Sequence, residues 1–224
     1  MSILDVPAIV PRPLPVVLLL DTSGSMLKDD KIEVLNDSVR EMIAALKDAD
    51  AHTGSIRLSV IAFGGPTAQT VIAHAPIAEV EFTTLQAGGR TPLGQAFARA
   101  EELVNDLEAL PSNSHRPTIA LVSDGLPNRD DDWRDQLERL IDHHRGAKAT
   151  RFALGVGDDA DRDMLAAFSG GLVHRAGDAS KIRTFLQFVT MTVTEATVTG
   201  VVANASSVSG DTSIEELVWR DDDF

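Results

Sequence analysis

The sequence VVLLLDTSGS, residues 16–25, joins a short aliphatic run to an acidic turn. An uninterrupted run of this length is typical of a strand that is buried on both faces of a parallel sheet. Asp21 ends the run and opens a loop at the carboxyl edge of the sheet, which is where open α/β folds bind their ligands. The sequence therefore predicts an α/β domain with a polar site directly after its first strand.

The turn that follows the strand carries one carboxylate and two hydroxyls on alternate residues, Asp21, Ser23 and Ser25. Hard oxygen donors of this kind suit Mg²⁺ or Mn²⁺ better than zinc or copper. Asp and Ser are also ordinary turn and helix-capping residues, so the DxSxS pattern alone leaves a purely structural turn as an alternative.

Two further segments favour the metal interpretation. Residues 119–123 (IALVS) form a second run typical of a buried strand, and Asp124 follows it at the equivalent position. Between the two strands, residues 88–94 (GGRTPLG) present Thr91 just before a helical pattern. If the strand order is 3-2-1-4-5-6, the first and fourth strands are neighbours, and Asp21 and Asp124 face one crevice.

At this point the chain resembles the von Willebrand factor type A domains that carry a metal-ion-dependent adhesion site. The family pattern is DxSxS, a distal Thr and a distal Asp, and its metal-site residues map onto Asp21, Ser23, Ser25, Thr91 and Asp124. Residues 155–161 (GVGDDAD) also resemble the turn after the family's fifth strand. The resemblance covers residues 14 to 193. Within the family, LPVVLLLDTSGSM and GGRTPLG look like the bacterial TerY-type proteins of tellurite-resistance and stress operons.

The resemblance implies a protein-interaction module and not an enzyme. Its metal, Mg²⁺ or Mn²⁺, would accept a carboxylate from a partner protein, and the TerY likeness implies a scaffold in a stress-response or phospho-signalling complex with kinase or phosphatase partners. Two alternatives stay open: a Mg²⁺-dependent hydrolase or phosphotransferase, and an assembly subunit indifferent to metal. A haloacid-dehalogenase-type phosphotransferase needs a second acidic residue where this chain has Ser23.

Composition agrees with this interpretation. The 224 residues carry a formal net charge of −14, which disfavours binding to nucleic acid or to anionic membranes. The chain has no cysteine, so disulfide and thiolate chemistry are excluded. Residues 1–14 are rich in proline and show no apolar stretch long enough for a signal peptide, and we therefore expect a cytoplasmic location.

Hydrophobic periodicity predicts a doubly wound α/β fold: a mostly parallel six-stranded sheet with helices on both faces. The family resemblance implies that one edge strand is antiparallel. After a lead-in at 1–14, the domain is expected at 15–193, followed by an acidic extension at 194–224. Predicted strands are 15–21, 56–63, 70–81 (the antiparallel edge), 117–123, 150–155 and 172–175. Predicted helices are 31–47, 92–107 with Pro92 at its first position, 131–145, 161–168 and 179–193.

Residues around the predicted site and at the carboxyl terminus suggest secondary contacts. Arg90 and Pro92 flank Thr91 and are expected at the mouth of the site, with Met26, Leu27 and Leu126 as an apolar rim. Leu217, Val218, Trp219 and Phe224 in their acidic setting form either a frayed tail or a docking segment. None of the histidines is assigned to chemistry.

Overall fold

The architecture was taken from a computed structural model that describes residues 11–142 and 144–199. Over these residues, strands and helices alternate along the chain. The strands are β1 (Leu14–Asp21), β2 (Ile56–Gly64), β3 (Thr67–Pro76), β4 (Thr118–Ser123), β5 (Thr150–Val156) and β6 (Val173–Ala176). The helices are α1 (Lys31–Asp50), α2 (Leu93–Asn105), α3 (Trp133–Asp142), α4 (Arg162–Ser169) and α5 (Ser180–Thr199).

The six strands form one sheet in the order β3-β2-β1-β4-β5-β6. Every neighbouring pair is parallel except β2 and β3, which form an antiparallel hairpin at one edge. The predicted strand order and the antiparallel edge are therefore confirmed. Because β1 and β4 pair side by side, the loops after them emerge next to each other at the carboxyl edge.

Helices cover both faces of the sheet, and the alternation of β1 shows why. Val16, Leu18 and Leu20 belong to the core beneath α1 and α5. Val17 and Leu19 point to the opposite core, which α2, α3 and α4 cover. All five side chains are at most 1% exposed. A strand buried on both faces has no solvent side, which is why its sequence is continuously apolar.

Several predicted boundaries were wrong: α1 ends at Asp50 and not at 47, and α3 spans Trp133–Asp142 and not 131–145. The third strand spans Thr67–Pro76 and not 70–81, because residues 77–79 turn into a 3-10 helix that buries Ile77. Pro92 is the N-cap of α2 and not its first residue, since its ψ of 68° is not helical. The last helix continues to Thr199, past the predicted 193, because Ala196 still packs in the core.

Among the residues that the structure describes, no helix is long and apolar enough to cross a bilayer. The proline-rich start at 1–10 and the acidic end at 200–224 lie outside the described residues. The predicted docking segment at Leu217 to Phe224 lies in the second of these ranges and stays a prediction.

Candidate metal centre

Asp21 and Asp124 lie at the carboxyl ends of the adjacent strands β1 and β4. Asp21 is the last residue of β1, and Asp124 directly follows β4. Leu20 pairs with Val122, so β1 and β4 end at the same level of the sheet. Both carboxylates have no solvent exposure. Two buried carboxylates at one sheet edge require cations or hydrogen-bond donors nearby.

A chain of hydroxyl contacts reaches from the first turn to the second. The hydroxyl oxygens of Ser23 and Ser25 are 2.9 Å apart, and Ser25 Oγ donates to Asp124 Oδ1 at 2.6 Å. Gly125 lies close by, since a Cβ at that position would be 3.5 Å from Ser25 Oγ. The structure therefore joins Ser23, Ser25 and Asp124 through their side chains.

Asp21 accepts hydrogen bonds from its own turn and from the adjacent strand β4. Its Oδ1 accepts a hydrogen bond from the backbone N–H of Ser23 at 2.8 Å, and its Oδ2 accepts one from the Ser123 hydroxyl at 2.6 Å. Desolvation by burial raises the pKa of the Asp21 carboxyl to about 6, and the charge of Asp124 acts in the same direction. The two negative charges are thus close enough to repel each other, which a bound cation would relieve.

Thr91 reaches this edge through its backbone. The N–H of Thr91 donates to Asn128 Oδ1 at 3.0 Å, and its carbonyl accepts from Asn128 N at 3.3 Å. These bonds tie the loop of Thr91 to the loop that follows Asp124. The Thr91 residue is 9% exposed. No described contact joins its hydroxyl to the other four residues, so its role as a ligand stays a prediction.

Close backbone packing locks the turn of Ser23 against the glycine loop. Gly24 N donates to Gly89 O at 3.0 Å, and Gly88 N donates to Thr22 O at 2.8 Å. Gly89 has a φ of +76°, and a Cβ there would come within 2.5 Å of the Cα of Gly65. A side chain at Gly89 would therefore push the glycine loop away from the turn between β2 and β3.

Lys31 supplies a positive charge to the site, and the sequence analysis did not identify it. Its Nζ donates to Asp124 Oδ2 at 2.8 Å, and the Lys31 side chain is only 12% exposed. A signal for it did exist. Lys31 is the first residue of α1, where the helix dipole disfavours a cation, so the helix itself gives no reason for a lysine there.

The backbone before α1 is also unusual. Asp29 and Asp30 have φ values of +54° and +55°, in the left-handed region that most residues avoid. Aspartate tolerates this region better than most side chains, although each such residue still costs about 1 kcal/mol or more. This double turn leads directly into Lys31 and so fixes where its side chain starts.

Of the predicted rim residues, two leucines are exposed and Met26 is not. Leu27 and Leu126 are 63% and 66% exposed, and they follow the two site turns in sequence. Met26 was placed wrongly, because it is fully buried in the core beneath α1. Arg90 forms an ion pair with Asp130 at the surface. Single exposed leucines are ordinary on protein surfaces, so the apolar rim stays a prediction.

The donor set of the candidate site consists of oxygen atoms and fits a hard divalent cation. It combines two carboxylates with the hydroxyls of Ser23, Ser25 and Thr91. Within residues 11–142 and 144–199, no three His, Cys, Asp or Glu side chains are grouped so as to hold a metal. Oxygen donors without imidazole or thiolate match the preferences of Mg²⁺ and Mn²⁺.

Comparison with known proteins supports the fold. Residues 16–126 match the family model described as von Willebrand factor type A domain. No curated protein matches the chain. The sheet order, the single antiparallel strand and the helices on both faces are those of a von Willebrand factor type A, Rossmann-like fold.

Several solved structures are similar in fold. Proximal thread matrix protein 1 from the mussel byssus, solved with a zinc-occupied MIDAS motif, is 17% identical; the match covers 80% of this chain and 48% of that one, with a TM-score of 0.63. The pilus adhesin SpaC from Lactobacillus rhamnosus GG is 14% identical, with a TM-score of 0.66 and coverage of 82% and 31%. A von Willebrand factor type A protein from Catenulispora acidiphila is 18% identical, with a TM-score of 0.60 and coverage of 82% and 43%. The matches thus cover less than half the length of these proteins.

Proposed function

We propose that this chain is a protein-interaction module that depends on a divalent cation. Asp21, Ser23, Ser25, Thr91 and Asp124 would hold Mg²⁺ or Mn²⁺, and a carboxylate of a partner protein would complete the site. The observation that carries the proposal is the continuous contact from Ser23 through Ser25 to Asp124, beside the buried Asp21. An ordinary turn does not require the second strand end to join it.

The residues of the chain have separable tasks in this proposal. Ser23 and Ser25 lie on one turn, and each hydroxyl oxygen keeps a lone pair that its hydrogen bonds do not occupy. Asp21 and Asp124 supply the negative charge, and both are fixed by hydrogen bonds to groups of the scaffold. The loops are positioned before any ligand arrives, so little ordering is needed on binding.

The charge balance favours an acidic partner. A divalent ion held by two carboxylates and neutral hydroxyls has no excess negative charge around it, and it therefore supplies an electrophilic position for one more oxygen ligand. A carboxylate is a hard oxygen donor with a compensating charge. Leu27 and Leu126, both exposed, would contact the apolar surroundings of that carboxylate on the partner.

The names of the structural neighbours agree with this class of function. One is a thread matrix protein and another is a pilus adhesin, and neither name denotes an enzyme. One neighbour was solved with zinc in its MIDAS motif. For this chain we propose Mg²⁺ or Mn²⁺ because its donors are all oxygens. We propose no catalytic activity.

The resemblance to the TerY-type proteins also supports a proposal about the cellular role of this chain. In that role the chain would be a cytoplasmic scaffold of a bacterial tellurite-resistance or stress-response complex. Kinase or phosphatase proteins of the same complex would be its partners. The net charge of −14 supports a protein partner over nucleic acid or an anionic membrane.

An affinity pull-down from native lysate tests the proposed function. Wild type and Asp21→Ala would each be used as bait in Mg²⁺ and in EDTA, with folding checked by circular dichroism. We expect partners to be recovered only by wild type in Mg²⁺. Asp48→Ala is a suitable control, because it removes an exposed carboxylate from the same helix that Lys31 begins.

Equal recovery in all conditions would contradict the proposal, since another surface would then carry the interaction. The hydrolase alternative makes a different prediction, namely turnover of a generic phosphomonoester with Mg²⁺ that Asp21→Ala abolishes. The metal-indifferent subunit predicts recovery that EDTA does not change.

A further inference from the structure

Lys31 is placed where its charge acts on the proposed metal site. Resting on the proposed function, we propose that Lys31 sets the ligand preference of that site. The charge of Lys31 weakens binding of the divalent ion alone. Tight binding of the ion then requires the anionic group of the partner as well. The ion pair between Lys31 Nζ and Asp124 Oδ2, at 2.8 Å, is the observation from which this follows.

The position of Lys31 is not explained by its helix. A cation at the first residue of α1 faces the positive end of the helix dipole. Two residues with left-handed backbone, Asp29 and Asp30, directly precede it. Both features are unfavourable for the helix start, and the contact with Asp124 offsets them. The ion pair with Asp124 is therefore the contact that favours Lys31 at this position.

The surroundings keep the charge close and poorly screened. Asp124 has no exposure and the Lys31 side chain is 12% exposed, so solvent and salt weaken their interaction little. The loop after β5 lies beside the ammonium group, since a Cβ at Gly157 would be 3.6 Å from Lys31 Nζ. Gly157 has a φ of +82°, which further disfavours any side chain there.

The consequence can be worked out from charge. Asp21 and Asp124, both ionised, carry two negative charges, and Lys31 reduces the total to one. A divalent ion would then leave the site with a net positive charge, whereas a site without Lys31 would be neutral. A cation binds less tightly beside a like charge, and an anion binds more tightly to a positive site. Lys31 therefore shifts binding energy from the metal to the anionic ligand.

A merely structural role for Lys31 makes a different prediction. If Lys31 only ties α1 to the loop of Asp124, its removal would lower stability and leave the metal affinity unchanged or weaker. If its charge opposes the metal, its removal would raise the metal affinity. The sign of the change therefore separates the two roles.

The test is a titration with Mn²⁺ followed by electron paramagnetic resonance. Wild type would be compared with two neutral variants: Lys31→Met, and Lys31→Gln, which keeps a hydrogen-bond donor. Lys31→Arg keeps the charge, and Lys28→Met removes an exposed lysine three residues away. We expect both neutral variants to bind Mn²⁺ about tenfold more tightly than wild type, and both controls to stay within about threefold of it.

A second arm uses acetate as the carboxylate probe. Acetate should tighten the binding of Mn²⁺ to wild type and should do so less for the neutral variants. Unchanged or weaker Mn²⁺ binding by folded Lys31→Met and Lys31→Gln would overturn the role of Lys31 while leaving the proposed function intact. Absence of Mn²⁺ binding by wild type itself would overturn the proposed function and, with it, this inference.

Discussion

Asp21 and Asp50 are both buried aspartates, but they lie at opposite edges of the sheet. Asp21 ends β1 at the carboxyl edge, whereas Asp50 ends α1, before the chain enters β2. Their exposures are 0% and 5%. They differ in their surroundings: Asp50 is enclosed by donors of its own turn, whereas Asp21 lies near the carboxylate of Asp124.

Asp50 is saturated by its own turn. Its Oδ1 accepts from the backbone N–H of Ser55 at 2.8 Å, from the Ser55 hydroxyl at 3.0 Å and from the Thr53 hydroxyl. Its Oδ2 accepts from the N–H of Ile56 at 3.1 Å. Four donors bind this carboxylate, and all of them lie in the connection from α1 to β2, which the carboxylate stabilises.

Asp21 is equally buried, but its hydrogen bonds from Ser23 and Ser123 leave it facing the negative charge of Asp124. Burial raises its pKa to about 6, which means that the folded protein holds the charged form at a cost in free energy. An ionised carboxylate with spare lone pairs inside a protein is expected where a cation binds. A second carboxylate nearby, and not burial itself, therefore distinguishes Asp21 from Asp50.

The largest effect is expected at Asp50. Asp50→Asn replaces an acceptor oxygen by an amide N–H₂ facing donors, which leaves buried N–H groups of the turn unsatisfied. We expect the free energy of unfolding to fall by about 3 kcal/mol or more. Urea denaturation measures it, with Asp48→Asn as the exposed control. A loss as small as that of the control would mean that the Asp50 turn is not structural.

Asp21→Asn should change stability in the opposite direction, and only in one range of pH. The folded-state pKa of Asp21 is raised above 3.8, so its contribution to stability is fully present below about pH 4 and is lost as the pH rises through about 6. Asparagine has no such loss. The quantity to compare is the free energy of unfolding of Asp21→Asn minus that of wild type. In EDTA we therefore expect this difference to be about 2 kcal/mol larger at pH 7.5 than at pH 4.

Denaturation curves for both proteins at several pH values check this prediction. If the difference in free energy of unfolding between wild type and Asp21→Asn does not vary between pH 4 and 7.5, the pKa of Asp21 is not raised in the folded protein. Asp50→Asn, at a second buried aspartate, serves as the comparison variant in these denaturation curves.

His174 extends the comparison to a buried group with no hydrogen-bond partner at all. Neither ring nitrogen has one among the described residues, and the ring lies 5.5 and 5.4 Å from those of Phe185 and Phe188. Burial lowers the pKa of His174 to about 4, so its neutral form contributes stability above pH 6.5 that is lost as the pH falls towards 4.

The expected result for His174 is a loss of stability in acid that depends on this residue. Between pH 7.5 and 5, wild type should lose up to about 2 kcal/mol more than His174→Leu, which cannot be protonated. Thermal denaturation at the two pH values measures this, with the exposed His52→Leu as control. Equal losses in wild type and His174→Leu would show that His174 is not a buried neutral group.

Much of this molecule was predictable because its signals are local. The run at 16–20 is apolar on both faces, which only a central strand requires, and Asp21 and Asp124 end two such runs. Adjacent parallel strands bring their ends together, so the pairing of Ser25 with Asp124 follows from strand order.

The missed features depend on contacts distant in sequence. Lys31 resembles an ordinary helix residue until Asp124, ninety-three positions away, is placed beside it. The third strand ended early because Ile77 packs into the core under α1, which the alternation of residues 70–81 does not reveal. Met26 looks like a rim residue from its neighbour Leu27, yet the 3-10 turn at Gly24–Leu27 rotates it inward.

One titration tests the central claim most directly: Mn²⁺ binding to wild type, Asp21→Asn and Asp50→Asn, measured by electron paramagnetic resonance on folded protein. We expect wild type to bind one Mn²⁺, Asp50→Asn to bind it equally well, and Asp21→Asn to bind it more weakly by about a hundredfold or more. Equal binding by wild type and Asp21→Asn, or no binding by wild type, would contradict the assignment of the metal site to this edge of the sheet.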